Sequence, residues 1–531
     1  MASFVNLLFP YIKSYGKLII FYVILSFLAK LLGISLPYFT GSYIDSLVEH
    51  IDINSIKVFS ILLLILGLGN ILANCVQSYI FVKLKTHISN DLKLFILKHI
   101  SFIPISNLES KEPGYINHRI NSDVNVIVAF ILGNSFNVVI NLLNIVLLLV
   151  ICFRINDMLT IIILPLIPIY IMSYFFFKDK IYTLNYDMKE KENDAFSKTQ
   201  HFLENMKSIK IKGAFEEYNE YIDKKLSNVL TSLLKYTRTS LQFASNKTLI
   251  KVVVQVILFY YGGKEIISGN LKIGQFTIMS NYFIMILDNL GFLYSVGEQY
   301  QNAKVSMDRI LDILSINPEK NGSVLLENIE NIELNNISFG YKGSNSEIKK
   351  FSYVFNRGNI YCIAGENGVG KSTLINLILG IYVEEFSGTI LYNSLDIKKI
   401  DLYSTRSELI GVSEQEPKLT YMPSGTGKEH FKEELGVLLT ALNVNKNLFD
   451  CEDTVMNVSG GEKLKISLIR ALLKKPKILI LDEPTSALDT VSIAKLKKIL
   501  LDSKNDRITI IITHDEGFKD IADEIIEIKA M

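Results

Sequence analysis

The residues best suited to chemistry form a glycine-rich loop, GENGVGKST, at positions 365–373. The loop fits the pattern G-x-x-x-x-G-K-[ST] and lies between a strand-like run at 360–364 and a helical run at 374–379. Glycines let backbone N–H groups close on phosphate oxygens, and the following helix N-terminus adds positive potential. Lys371 can reach the β- and γ-phosphates of a nucleotide, and the Ser372 hydroxyl can bind Mg²⁺. The predicted phosphate site comprises Gly365, Glu366, Asn367, Gly368, Val369, Gly370, Lys371, Ser372 and Thr373.

A second chemical motif, KILILDEPTSALD, occupies residues 477–489. Its apolar half predicts a strand, and Asp482 and Glu483 follow at the carboxyl end, where open α/β sheets bind ligands. Asp482 can complete the Mg²⁺ shell, and Glu483 is placed to act as general base on an attacking water. Together with the glycine-rich loop, this motif predicts hydrolysis of the bound nucleotide.

A third motif, NVSGGEK, lies between the first two. Ser459, Gly460 and Gly461 begin a predicted helix and offer a second set of free backbone N–H groups. Because the chain already has one phosphate loop, a second anion site favours a nucleotide bound between two chains. The alternative is an ordinary helix cap.

The chain divides into two different parts, and the second of them contains the three motifs. From residue 332 onward, short strand-like runs alternate with helical patterns, which predicts an α/β domain with a largely parallel sheet over 332–531. Residues 1–315 form a predicted transmembrane domain, and 316–331 a linker. The apolar segments that are candidates to cross a bilayer as helices are 18–39, 58–82, 124–153, 158–177, 249–263 and 276–297.

Composition agrees with a chain that is part membrane protein and part soluble domain. Of 531 residues, 49% are hydrophobic and 21% charged, and the mean hydropathy is +0.29. Lys and Arg number 55 against 54 Asp and Glu, so no charge excess indicates a nucleic-acid partner. Basic residues concentrate in 83–123 and 178–248, which predicts that these segments, both termini and the α/β domain are cytoplasmic.

Polar residues inside the predicted spans are further candidates. The third span carries four asparagines at helical spacing, which places their amides on one face. This face is either the wall of a substrate cavity or a surface that hydrogen-bonds to neighbouring helices. Lys30 and Asp288 either line the same cavity, pair with each other, or pair with a charge of a partner chain. The four asparagines are Asn134, Asn137, Asn141 and Asn144.

In combination, the motifs resemble those of the ATP-binding cassette (ABC) exporters. The resemblance rests on VSGGE before DEPTSALD, on the glycine-rich loop upstream, and on membrane-half segments such as ENMKSIKIKGAFEEYNEY and GNLKIGQF. It implies a half-transporter of type IV exporter architecture, with an α-helical six-span transmembrane domain fused to an α/β P-loop nucleotide-binding domain that uses ATP and Mg²⁺. It also implies four further site residues. These are Tyr341, which stacks on adenine; Gln415, which senses Mg²⁺ and the attacking water; Asp489, which couples opposed sites; and His514, which contacts the γ-phosphate.

The same resemblance implies a multi-pass protein of a plasma membrane, surrounded by lipid, and the Ile-, Lys- and Asn-rich composition favours a bacterial source. We expect a homodimer, with a heterodimer as the alternative. Glu462 stands where the family usually has Gln and adds negative charge at the second anion site. The expected function is ATP-driven export of an amphipathic peptide of the bacteriocin type. Lipid or multidrug efflux and a non-exporting, ligand-sensing membrane ATPase are the alternatives, and we expect no leader-peptide cleavage because no cysteine-peptidase segment precedes the first span.

Overall fold

The structure is a computed structural model, and its chain divides into two compact units. One unit comprises Met1–Ile100 and Pro113–Ile316, and the other comprises Ser101–Glu112 and Asn317–Met531. The segment Ser101–Glu112 thus belongs to the unit that carries the phosphate loop. The residues described are 10–11, 13–49, 53–109, 116–117, 119–341, 347–366, 368–417, 432–445, 459–486 and 488–528.

The described part of the first unit is helical. Within it, six segments of 34 to 53 residues are long and apolar enough to cross a membrane, which confirms the six predicted spans. At ~1.5 Å per residue they reach ~50–80 Å, well beyond the ~30 Å of a hydrocarbon core. The helices are α1 (Gly16–Glu49), α2 (Ile53–Ile100), α4 (Val124–Ile155), α5 (Asp157–Ile163), α6 (Leu166–Glu204), α7 (Met206–Lys212), α8 (Phe215–Ile267) and α9 (Ile273–Leu314).

Local sequence explains where these helices begin and break. The Asn156 side chain accepts a hydrogen bond from the Leu159 backbone N–H at 2.9 Å and so caps α5. Pro165 follows α5 and separates it from α6, because proline lacks the N–H that a continuous helix needs. A π-helical turn at Arg119–Asp123 leads into α4.

Close backbone contact joins one end of α1 to the start of α9. A Cβ at Gly274 would lie 1.8 Å from the Gly41 carbonyl oxygen, so only glycine permits this approach. The Asp45 carboxylate accepts the Gly274 backbone N–H at 2.6 Å. Deeper in the pair, the Tyr282 hydroxyl donates to the Ile34 carbonyl at 2.9 Å.

The second unit is an α/β domain with two described sheets. The antiparallel sheet has the order β2-β1-β4-β5, and the parallel sheet has the order β6-β7-β8-β3-β9. The strands are β1 (Asn331–Gly340), β2 (Glu347–Asn356), β3 (Ile360–Ala364), β4 (Ser387–Tyr392), β5 (Leu395–Asp396), β6 (Ile410–Ser413), β7 (Ile478–Asp482), β8 (Ile508–Ile512) and β9 (Glu524–Glu527). The helices are α3 (Ile105–Glu109), α10 (Lys371–Ile378), α11 (Leu402–Glu408), α12 (Lys432–Ala441), α13 (Gly460–Leu473), α14 (Thr490–Asp502) and α15 (Glu516–Lys519).

Burial explains the parallel sheet. Strands β3, β7 and β8 are apolar and almost wholly buried, as expected of parallel strands covered on both faces. Within the same unit, the segment that contains α3 packs against α/β residues. The Phe102 carbonyl accepts the Glu319 backbone N–H at 2.7 Å, and its ring meets the Tyr403 ring edge-on with centroids 5.6 Å apart.

Candidate functional site

The first two motifs and His514 meet at one edge of the parallel sheet. The glycine-rich loop follows β3, Asp482 ends β7, and His514 lies two residues beyond β8. Strands β7, β8 and β3 are adjacent in the sheet and parallel, so their carboxyl ends lie side by side. The sheet order therefore brings together residues that are more than a hundred positions apart in sequence.

Glycines shape the phosphate loop. Gly370 has φ +105°, a conformation that side chains rarely adopt. At Gly365, a Cβ would lie 2.6 Å from the Ile528 carbonyl oxygen. Lys371 begins α10 and is 9% exposed. Its amine donates to the carbonyls of Gly365 at 2.6 Å and Glu366 at 3.1 Å, which bends the side chain back over the loop.

Ser372 and Asp482 face each other as the sequence predicted for a Mg²⁺ site. The Ser372 hydroxyl lies 3.5 Å from Asp482 Oδ2. Burial, and next the negative charge of Glu483, raise the pKa of the Asp482 carboxyl above its usual value. A half-buried carboxylate beside a hydroxyl is an oxygen donor set that suits a hard divalent cation, and the cation would relieve the crowding of negative charge. The residues present thus fit Mg²⁺.

Glu483 is held by two neighbours. Gln415 Nε2 donates to Glu483 Oε2 at 2.7 Å, and His514 Nε2 lies 3.8 Å from Glu483 Oε1. His514 Nε2 is also 3.3 Å from the Lys371 amine. Because an ammonium group only donates, a hydrogen bond between these two groups requires Nε2 to be the acceptor.

The backbone of Glu483 is strained. Its φ is +48°, uncommon for a residue with a side chain. The Glu483 N–H donates to the Ile512 carbonyl at 2.8 Å, which ties this conformation to β8. A cavity of about 470 Å³ collects most of these groups. Its lining residues are Gly368, Gly370, Lys371, Ser372, Thr373, Gln415, Asp482, Glu483 and Ile512.

Other predicted nucleotide-site residues lie elsewhere in the second unit. Tyr341 lines a different cavity, of about 700 Å³, and its ring packs edge-on against Phe339 and Tyr382. Asp489 caps α14 by accepting the Ser492 backbone N–H at 2.9 Å, and hydrogen bonds from Ser492 lower its pKa. Asn367 lies outside the described residues.

The third motif forms a reciprocal cap at the start of α13. The Ser459 hydroxyl donates to Glu462 Oε2 at 2.8 Å, and the Ser459 backbone N–H donates to the same oxygen at 3.1 Å. These bonds from Ser459 lower the pKa of the Glu462 carboxyl. Gly460 and Gly461 follow as the first residues of the helix. The N-terminus of α13 thus already holds an anion, supplied by its own chain.

The asparagines of α4 contact neighbouring helices. Asn134 donates to Gln299 Oε1 at 2.8 Å, and Asn137 donates to the Tyr22 hydroxyl at 3.4 Å. Asn134, Asn141 and Asn144 are each less than 5% exposed. This burial supports interhelical hydrogen bonding, one of the two interpretations left open by the sequence.

The two charged candidates of the spans have separate partners. The Lys30 amine donates to Asn141 Oδ1 at 3.3 Å, and the Asp288 carboxylate pairs with Lys251 at 2.5 Å. Lys251 was not among the predicted site residues, although it is the only charged residue of the fifth apolar segment. That isolated charge was the signal that could have found it.

Family models match both parts of the chain. The model described as ABC transporter transmembrane region matches residues 19–290, and the model described as ABC transporter matches residues 348–486.

Curated relatives align with most of the chain. Lactococcin-A transport/processing ATP-binding protein LcnC of Lactococcus lactis subsp. lactis is 25% identical, over 97% of this chain and 74% of that protein. The ATP-dependent lipid A-core flippase of Haemophilus influenzae is 26% identical, over 86% and 80%. ABC transporter B family member 1 of Dictyostelium discoideum is 25% identical over 92% of this chain, which spans 55% of that longer protein.

A solved structure shares the fold. A bacterial Atm1-family ABC exporter with ATP bound superposes with a TM-score of 0.81 at 17% identity, over 97% of this chain and 93% of that one. The matched transmembrane region alone exceeds half of the chain. The chain therefore belongs to the ABC transporter family and joins a helical transmembrane region to an ATP-binding, ATP-hydrolysing cassette.

Proposed function

We propose that this protein couples ATP hydrolysis to the export of an amphipathic peptide across a bacterial plasma membrane. The observation that carries the enzymatic part is the position of Glu483, held beside Gln415 and His514 in the cavity that also contains Lys371 and Ser372. A carboxylate held at the phosphate loop is suited to take a proton from an attacking water. Gln415 fixes one carboxylate oxygen, which leaves the other to orient the water.

The remaining residues bind and orient the nucleotide. Lys371 exchanges its carbonyl partners for the β- and γ-phosphates, and loop N–H groups bind the phosphate oxygens. Ser372, Asp482 and Gln415 would hold Mg²⁺, which when bound neutralises charge on the phosphates. His514 is proposed to contact the γ-phosphate, and Tyr341 to stack on adenine.

We assign the second anion site to a partner chain, in a homodimer. Ser459, Gly460 and Gly461 are exposed or partly exposed at the start of α13 and are not among the residues that line the cavity around Lys371. This arrangement supports a nucleotide bound by the phosphate loop of one chain and α13 of the other. Asp489, which caps α14, is proposed to couple the two sites.

Two observations support a peptide as the transported substrate. The relative named for lactococcin transport aligns along nearly the whole chain. The partly exposed or exposed charged residues Lys30, Lys251 and Asp288 place polar groups inside the membrane part. The relative named as a lipid A-core flippase keeps lipid export as the rival substrate class. We place the cassette (332–531), the linker (316–331) and the basic ends of the transmembrane domain (1–315) in the cytoplasm.

Transport into proteoliposomes tests the proposal. In vesicles whose cassettes face outward, ATP should drive uptake of a dye-labelled amphipathic peptide, and Glu483→Gln should lower both ATPase activity and uptake by about 10²–10⁴-fold. The same vesicles containing a dye-labelled phospholipid form the second arm. ATP-dependent lipid movement without peptide uptake would establish the rival class. ATPase activity with no transport in either arm would leave the ligand-sensing ATPase as the function.

A further inference from the structure

Three charged residues lie within the apolar segments of the transmembrane domain. Lys30 lies in the first, Lys251 in the fifth and Asp288 in the sixth, while the other three segments carry none. Charges at such depth are costly and usually serve a function. Because two of these residues are lysines and one is an aspartate, the segments contain one more positive than negative charge.

These residues lie at a common depth. Lys30, Asn141, Lys251 and Asp288 are between 14 and 19 residues from the helix ends at 49, 155, 267 and 273. At ~1.5 Å per residue this distance is roughly 21–29 Å. They come from α1, α4, α8 and α9 and form two pairs, Lys30 with Asn141 and Lys251 with Asp288, which together are called the polar cluster below.

The two lysines have different partners, one charged and one neutral. Lys251 pairs with Asp288 at 2.5 Å. Lys30 instead donates its hydrogen bond to the neutral Asn141. Asn141 Nδ2 donates to the Asn137 carbonyl at 2.7 Å, which turns Oδ1 toward the lysine. Asn141 is thus a positioning residue that holds the Lys30 amine without neutralising it.

The cluster is open on one side. The Asp288 side chain is 55% exposed and that of Lys251 is 27% exposed, whereas Asn141 is 4% exposed. A carboxylate this exposed at mid-span is not stable against lipid hydrocarbon, so it faces a wet space or another polar chain. Lys30 is partly exposed at the same cluster.

We propose that this cluster is an anion site in which Lys30 binds a carboxylate of the transported peptide. The inference rests on the proposed peptide export and names the chemical class of the group recognised. Asp288 holds Lys251 and limits the net charge to one cation, which suits a single carboxylate. In a dimer, Lys251 of one chain could pair with Asp288 of the other chain instead of with its own. Each chain would still contribute two lysines and one carboxylate.

The absence of tryptophan from the chain provides a direct binding assay. The probe is an amphipathic peptide with one tryptophan and no acidic side chain, prepared with either a free C-terminal carboxylate or a C-terminal amide. Binding to the full-length protein in nanodiscs of zwitterionic lipid, without ATP, is followed by the peptide's fluorescence. The wild type should bind the acid about tenfold more tightly than the amide.

Three variants assign the difference to Lys30. Lys30→Gln should bind both peptides as weakly as the wild type binds the amide, while the charge-conserving Lys30→Arg should keep most of the preference. Asp288→Asn, which adds net positive charge, should increase the preference for the acid. Equal affinity of the wild type for the two peptides would overturn the proposal without any variant, as would an undiminished preference in Lys30→Gln.

Two further outcomes separate this inference from the proposed function. Equal binding of the two peptides, with both transported, defeats the anion site and leaves peptide export intact. No binding of either peptide defeats both. Lys30-dependent binding of phosphatidylglycerol, with the two peptides bound alike, would assign the site to a lipid headgroup and also contradict the proposal.

Discussion

Asp482 must stay charged to hold a cation, yet its surroundings disfavour that charge. Burial and Glu483 raise the pKa of its carboxyl, so the folded cassette binds this proton more tightly than the unfolded chain. Stability therefore falls as the pH rises through the raised pKa, and the loss is complete above it. Without nucleotide, Asp482→Asn should raise the thermal midpoint at pH 7 by about 1–3 °C.

Measuring the midpoint across pH checks this sign. The gain of Asp482→Asn should shrink as the pH falls, because the wild-type carboxyl becomes protonated. The exposed Asp502→Asn provides a control with the same charge change. If the rise in thermal midpoint instead grew at acid pH, the charged Asp482 carboxylate would not be the source of the destabilisation.

Glu462 competes with the phosphate that the second anion site is proposed to bind. Its carboxylate accepts two hydrogen bonds from Ser459, and its lowered pKa keeps it charged at neutral pH. Glu462→Gln keeps an acceptor for the helix cap but removes the repulsion. We expect the KM for ATP to fall about threefold. Steady-state ATPase assays test this, with the exposed Glu408→Gln as control; an unchanged KM would contradict it.

The sequence predicted the chemistry of the nucleotide site better than its contacts. Lys371, Ser372, Asp482 and Glu483 belong to local motifs, and the order of the parallel strands brings them together as expected. The bond from Gln415 to Glu483 and the left-handed backbone of Glu483 depend on β6 and β8, which no local pattern encodes. The pairing of Lys251 with Asp288 was not predicted, because the sequence does not show which of the apolar helices contact each other.

At the scale of elements, the approach of α1 to α9 depends on glycine at position 274. A Cβ there would meet the Gly41 carbonyl, which is backbone and cannot turn away. Gly274→Ala should therefore destabilise the transmembrane domain by about 1–3 kcal/mol. In α8, a Cβ at Gly263 meets nothing within 4 Å, so Gly263→Ala is a matched control. Thermal denaturation in detergent should separate the two, and equal midpoints would rule out a tight α1–α9 contact.

The same element scale shows what apolar patterning can predict. It identified six spans, because an uncharged run reports where the chain crosses hydrocarbon. An uncharged run marks the span and not the whole helix, since α2 runs from Ile53 to Ile100 around an uncharged segment of 58–82. The segment 158–177 lies in one span, as predicted, although Pro165 separates α5 from α6 within it. Beyond the apolar segments, a salt bridge between Asp194 and Lys225 at 2.7 Å joins α6 to α8.

At the scale of the whole molecule, the proposed dimer makes each nucleotide site composite. One chain supplies Lys371, and the other supplies the N-terminus of α13. Lys371→Ala should abolish phosphate binding, and Gly460→Asp should place a repelling carboxylate at α13. A Cβ at Gly460 meets nothing within 4 Å, so this chain should still fold. Each variant alone should hydrolyse almost no ATP.

Mixing the two variants distinguishes composite sites from sites built within one chain. In a mixed dimer, one site carries both substitutions and the other carries neither, so the second site is intact. The mixture is prepared by co-expression or by exchange of folded subunits. Random pairing then makes half of the dimers mixed, and each mixed dimer has one intact site, so we expect about one quarter of wild-type ATPase activity. Mixed dimers of a doubly substituted chain and a wild-type chain, isolated through a different affinity tag on each chain so that wild-type homodimers are removed, serve as the reference, because each of their sites carries one defect. If the mixture stays as inactive as its components while the wild type exchanges normally, each chain completes its own site, and a nucleotide shared between chains cannot drive this transporter.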